Sequence, residues 1–132
     1  MGWPDSGEID VMEYVGFEPN VAHGTIHTKA YYHKINTQKG AKTHVGGASD
    51  GFHTYALDWN AKGIKIYVDG KQYFGFKNDG KNDPKTWPFN HGMPMILNLA
   101  VGGDWGGAKG IDDSIFPQKF EIDYVKVYEP NP

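Results

Sequence analysis

The sequence predicts an all-β protein built as an antiparallel sandwich, and three observations carry that reading. Eighteen Gly, eight Pro and nineteen aromatic residues are spread over 132 positions, a composition that favours short strands joined by tight turns over long helices. Runs rich in Val, Ile, Tyr and Phe recur between turn signals, which is the spacing of a sandwich. Ile64, Ile66 and Val68 alternate with Lys65 and Tyr67 and are followed by Asp69-Gly70, a two-residue hairpin turn of the kind that requires positive φ. With 39% hydrophobic residues there is apolar material for one core, and the length suits one domain over residues 1–132.

Taken in order, strands are expected at 7–14, 23–32, 52–59, 63–68, 71–76, 94–100 and 119–128. The stretch 77–88 holds Asn78, Asp79, Gly80, Asn82 and Asp83 and reads as an exposed loop. Its oxygens lack the bidentate Glu that closes a calcium loop. In the last strand Ile122, Tyr124 and Tyr128 alternate with Val125 and Val127, so both faces carry apolar groups and a central position in a sheet is expected.

Composition also narrows the partners. All thirteen basic residues are Lys, and without the planar fork of Arg the chain is poorly suited to nucleic acid or heavily sulfated polymers. Zero Cys excludes disulfides and thiol chemistry. The apolar run 93–101 is far short of the about 20 residues that span a bilayer, so no membrane partner is expected.

The informative segment is Gly7-Glu8-Ile9-Asp10-Val11-Met12-Glu13-Tyr14. Carboxylates placed between apolar strand residues are costly unless paired or put to use. Period-two alternation puts Glu8 and Asp10 on one face and Ile9 and Val11 on the other, and Glu13 breaks the parity. A one-residue bulge at Met12 would restore it and bring all three acids to one surface. The strand rise separates Glu8 and Glu13 by roughly 13 Å, and side chains leaning together approach the about 5 to 5.5 Å used in retaining glycoside hydrolysis.

Trp3-Pro4-Asp5-Ser6-Gly7-Glu8-Ile9-Asp10-Val11-Met12-Glu13 resembles the active-site signature of glycoside hydrolase family 16 in its laminarinase form. Further matches are His23-Gly24-Thr25-Ile26-His27-Thr28, Phe52 to Trp59, Ile66 to Gly70, Leu97 to Gly103 and Phe120 to Tyr128, which cover most of the chain. The resemblance implies a jelly-roll β-sandwich and a retaining endo-hydrolase of β-1,3-glucan, with mixed 1,3-1,4 chains as a further substrate. It implies Glu8 as nucleophile, Glu13 as general acid and base, and Asp10 as the carboxylate that separates their titrations. It also implies a secreted protein and a structural Ca²⁺ held in part by Asp123, with no cofactor in catalysis. A glucan-binding module and an agarose-acting relative are the competing readings.

Other residues are chosen on the same resemblance. Trp3 would offer its ring face to the sugar, and Asn98 would hydrogen-bond a glucosyl unit. His27 lies one strand period beyond Thr25 and could reach the acid face, while Trp105 sits in the glycine-rich loop 102–107 as a subsite wall or a lid on the core. No carboxylate is expected to complete a metal set with His23 and His27. Family domains are close to twice this length and begin several strands before the signature. The missing N-terminal half, or else self-association, is therefore expected as a partner, since uncovered edges and apolar faces invite contact.

Overall fold

The computed structural model describes residues 2–129 and divides into two compact units, residues 2–94 and 95–129. The first unit holds six strands: β1 (Glu8–Glu13), β2 (Val21–His27), β3 (Lys39–His44), β4 (Tyr55–Asn60), β5 (Gly63–Val68) and β6 (Lys71–Lys77). They form two antiparallel three-stranded sheets, β1-β2-β3 and β4-β5-β6. The expected all-β sandwich is borne out. The hairpin also stands at its expected place, with Asp69 and Gly70 at φ 48° and 77°. Asp69 also ties the turn to the start of β4, since Thr54 N donates to its Oδ1 at 2.9 Å and His53 Nδ1 approaches its Oδ2 at 2.7 Å.

Alternation fixes which faces meet. Ala22, Gly24 and Ile26 of β2 are buried, as are Ile64, Ile66 and Val68 of β5. Ile26, Ile64, Ile66, Phe74, Trp87 and Phe89 form the main cluster, against which Ile9, Val11, Ala41, Trp59 and Tyr73 pack. A smaller cluster gathers Ala22, Val45 and Val68, with Met12, Tyr55 and Tyr73 on its margin. Each fully buried Ile or Phe contributes about 1.5–3 kcal/mol of transfer free energy, so the contact between the sheets is the main source of order. Trp87 and Phe89 close the core from the segment after β6. Phe76 stacks on Trp87 at 5.8 Å, Phe89 meets Trp87 edge-on at 5.2 Å, and Trp59 Nε1 donates to Phe89 O at 3.1 Å.

Several expectations are corrected. The strand expected at 23–32 ends at His27, and beyond it only an isolated bridge joins Thr28 to Tyr31. Strand β3 is unforeseen, because Lys-Gly-Ala-Lys-Thr-His offers one β-branched residue; it forms because β2 presents a free ladder from Val21 to Ile26. In the second unit no strand forms at 94–100 or 119–128 among the described residues. Val127 and Tyr128 are 79% and 80% exposed there, not central to a sheet. A strand needs a neighbour to take its ladder hydrogen bonds, and alternation in sequence does not supply one. The second unit is built from turns instead. Gly107 N bonds Gly103 O at 2.9 Å and Ala108 N bonds Trp105 O at 3.0 Å, and a 3₁₀ turn at Asp113–Ile115 is capped by Asp112, which accepts from Ser114 N. Among the described residues no helix is long and apolar enough to cross a membrane.

Candidate active site

The register of β1 against β2 decides where the acids point. Glu8 pairs with His27, Ile9 with Ile26, Asp10 with Thr25, and then Glu13 with His23, so Val11 and Met12 face the single residue Gly24. This is the one-residue bulge that the broken parity calls for. Val11 turns into the main cluster and Met12 into the smaller one. With two consecutive side chains sent inward, Glu8, Asp10 and Glu13 share the outer face with Thr25 and His27.

The start of β1 is positioned by Gly7. Its φ is +73°, and a Cβ there would lie 2.7 Å from Pro88 Cγ and 2.8 Å from Phe89 Cε1. Only glycine gives both the backbone conformation and the close seat on Phe89, and Glu8 is the next residue. Trp3 Nε1 donates to Glu8 Oε2. The Trp3 ring stands among His27, Tyr32 and His33, at 6.0, 5.5 and 5.2 Å between centroids, with Lys34 Nζ 5.5 Å from its centre.

The electrostatics raise both glutamates. Burial pushes the Glu13 carboxyl up to about 7, helped by the charge of Asp10 and opposed by His27 and by a hydrogen bond from Thr25. Glu8 is also raised, by burial and then by Asp10, and the Trp3 N–H works against the rise by favouring the charged form. His27 Nε2 lies 3.4 Å from Asp10 Oδ2, longer than a well-formed bond of about 3.0 Å, so the contact is an ion pair. Asp10 holds His27 above its ordinary value against the opposing effect of burial. Asp10 Oδ2 and His27 Nδ1 are both buried without a hydrogen-bond partner.

His27 does reach the acid face, and two carboxylates stand close enough to group with it, against the expectation that no carboxylate would complete a metal set with His23 and His27. Glu8, Asp10 and His27 each offer a ligand atom within 4.8 Å of one another, because Glu8 and His27 are register partners. Asp123 belongs to no such group among the described residues and is exposed. A single carboxylate supplies only one or two of the six to eight oxygens that Ca²⁺ takes, and no step is derived from the ion.

Residues 2–126 match the profile of the glycosyl hydrolases family 16. The chain belongs to glycosyl hydrolase family 16. Among its family 16 relatives, the β-glucanase of Rhodothermus marinus is 48% identical over 130 residues, which is 96% of this chain and 46% of that protein. The solved structure of SCLam, a non-specific endo-β-1,3(4)-glucanase, superposes with a TM-score of 0.85 at 51% identity, covering 87% of this chain and 43% of the other. That of the laminarinase from Rhodothermus marinus gives 0.84 at 46% identity, covering 87% and 47%. The chain thus spans about half the length of the relatives it matches.

Of the residues chosen from sequence in this family 16 chain, Trp3, Glu8, Asp10, Glu13 and His27 come together in the first unit. Asn98, Trp105 and Asp123 belong to the second unit, where each is exposed. Sequence reasoning missed the continuation of the acid face across β3. His23 faces Lys42 and Thr25 faces Gly40, and Glu18 bridges His23 at 2.9 Å and Lys42 at 2.5 Å. An open depression on this face is lined by His23, Thr25, Gln38, Gly40 and Lys42. Gln38 to Lys42 carries no alternating polarity that could have revealed it, since Gln38 and Lys39 are both polar and Gly40 and Ala41 are both small.

Proposed function

We propose that this chain supplies the catalytic acids of a retaining endo-hydrolase of β-1,3-glucan, which also accepts mixed 1,3-1,4 chains and acts outside the cell on polymeric substrate. The observation that carries the reading is the bulge: it sets Glu8, Asp10 and Glu13 on one face and leaves two glutamates in different environments. Double displacement needs that asymmetry, with one carboxylate charged and the other carboxyl protonated at the start. Glu8, whose carboxylate accepts the Trp3 N–H, would attack the anomeric carbon and form the glycosyl-enzyme. Glu13 would protonate the departing oxygen and then take a proton from the incoming water. Burial, and then the charge of Asp10, keep the Glu13 proton in place, and Asp10 is itself steadied by His27. The exposed Trp3 ring offers an apolar face for the pyranose, and the depression along β3 offers hydroxyl partners.

The reading is supported by the relatives, which are named as β-glucanase, endo-β-1,3(4)-glucanase and laminarinase. Reducing-sugar release from laminarin, lichenan and agarose by the full-length protein tests it. Laminarin should be cleaved fastest and Glu8→Gln should lower the rate by at least about a thousandfold. Binding of laminarin without release of reducing ends would mean a glucan-binding module. In the proton NMR spectrum the first product should be the β-anomer. Early α-anomer would exclude double displacement.

A further inference from the structure

The bulge in β1 is held from beneath by a residue of the other sheet. Tyr73 lies on β6, and its hydroxyl donates to Val11 O at 3.0 Å across a sequence separation of 62 residues. Val11 is the first of the two residues that the register leaves facing Gly24 alone, so the bond is made at the irregularity itself. A bulge leaves a residue out of the ladder, and an inward-facing carbonyl without a partner is costly; Tyr73 supplies that partner.

Gly24 makes room for it. A Cβ on Gly24 would lie 2.7 Å from Tyr73 Oη and 3.1 Å from Tyr73 Cε2, so the residue opposite the bulge must be a glycine for the phenol to reach Val11. Tyr73 packs against both apolar clusters, and its phenol stays neutral, pushed up to about 12 chiefly by burial. A neutral donor stands there throughout the working pH range.

We propose that Tyr73 and Gly24 form a staple that fixes the β1 bulge and so sets the position of Glu13 relative to Glu8 and Asp10. Tyr73 is a positioning residue: it contacts the Val11 carbonyl, two residues before Glu13, and not the reacting atoms. The staple rests on the catalytic reading only for its kinetic consequence. With the staple gone the bulge can slide or flatten, and Glu13 would then move toward solvent on a strand whose other acids stay paired to β2.

The test is Tyr73→Phe, Gly24→Ala and the double variant in the full-length protein, with the Glu13 titration followed by carboxyl ¹³C NMR and kinetics on laminarin. Tyr73→Phe keeps the ring and removes the hydroxyl. It should bring the Glu13 pKa down from about 7 toward its ordinary 4.5, lower kcat about tenfold with KM changed less than about twofold, and move the basic limb of the pH profile down with the titration. Gly24→Ala should do the same by displacing the phenol, and adding it to Tyr73→Phe should change little more, because the two changes break one bond. A Glu13 titration identical to wild type in a folded Tyr73→Phe protein would overturn the proposal. So would additive effects of the two substitutions, or unfolding of Tyr73→Phe, which would make Tyr73 a pillar of the core alone. The titration needs no substrate, so a protein inert on laminarin would sink the glucanase reading and leave the staple to be judged by NMR.

Discussion

Glu13 carries opposite consequences for stability and for chemistry. Its folded pKa of about 7 lies above the unfolded 4.5, so between those values the unfolded chain releases a proton that the folded chain keeps. Stability contributed by this group is whole below pH 4.5 and is lost as pH rises through about 7. Glu13→Gln, neutral at every pH, should therefore melt higher than wild type at pH 8 and show a much smaller gain at pH 4; thermal melts at the two values check it. The same titration bounds activity. A general acid must hold its proton, so kcat/KM should fall above about pH 7, and His27→Asn should shift that limb upward, since His27 is one of the groups lowering Glu13. A limb that stays in place in His27→Asn would remove His27 from the electrostatics of the site.

At the level of elements, β1 is placed by the groups at its two irregular points: Gly7, where it begins, and the bulge. Gly7→Ala would force a methyl against Pro88 and Phe89 and a side chain into φ +73°. Backbone strain of about 1–3 kcal/mol adds to overpacking of about 1–3 kcal/mol. Urea denaturation should show a loss of about 2–6 kcal/mol, and because Glu8 is the neighbouring residue, the folded fraction should also lose activity. Gly2→Ala, at a position with open space around it, is the matched control and should leave both unchanged. Strand β3 shows the same dependence on a neighbour at the sheet edge. It owes its existence to the ladder that β2 offers, and it brings Lys42 to Glu18 and Gly40 to Thr25. There Lys42, and then His23, hold the Glu18 carboxyl below its ordinary value.

For the molecule as a whole, the distribution of exposed apolar surface matters most. Ile96, Leu97, Leu99, Val101, Val127 and Tyr128 are each more than half exposed, a density that natural monomers avoid. The 132-residue chain on its own should bind an apolar dye and sediment as associated species. A longer chain carrying the additional length that the family 16 relatives have should suppress both and raise laminarin hydrolysis. A monodisperse monomer of 14.7 kDa in analytical ultracentrifugation, without dye binding, would contradict this expectation.

The sequence by itself determined the parts governed by local chemistry. Asp69-Gly70 specified the hairpin because few pairs tolerate two positive φ angles in succession. The spacing of Glu8, Asp10 and Glu13 required a bulge because parity cannot otherwise bring three acids to one face. Tertiary structure decided what depends on a neighbour distant in the chain. Whether 94–100 and 119–128 become strands rests on ladder partners, which alternation cannot reveal, and β3 exists because such a partner was on hand. That Glu8 and Asp10 reach His27 follows from strand register, and that Tyr73 meets Val11 O follows from the stacking of one sheet on the other. Period and turn chemistry act over a few residues and can be read in order, whereas burial, register and the pKa values they shift belong to pairs of residues that only the folded chain brings together.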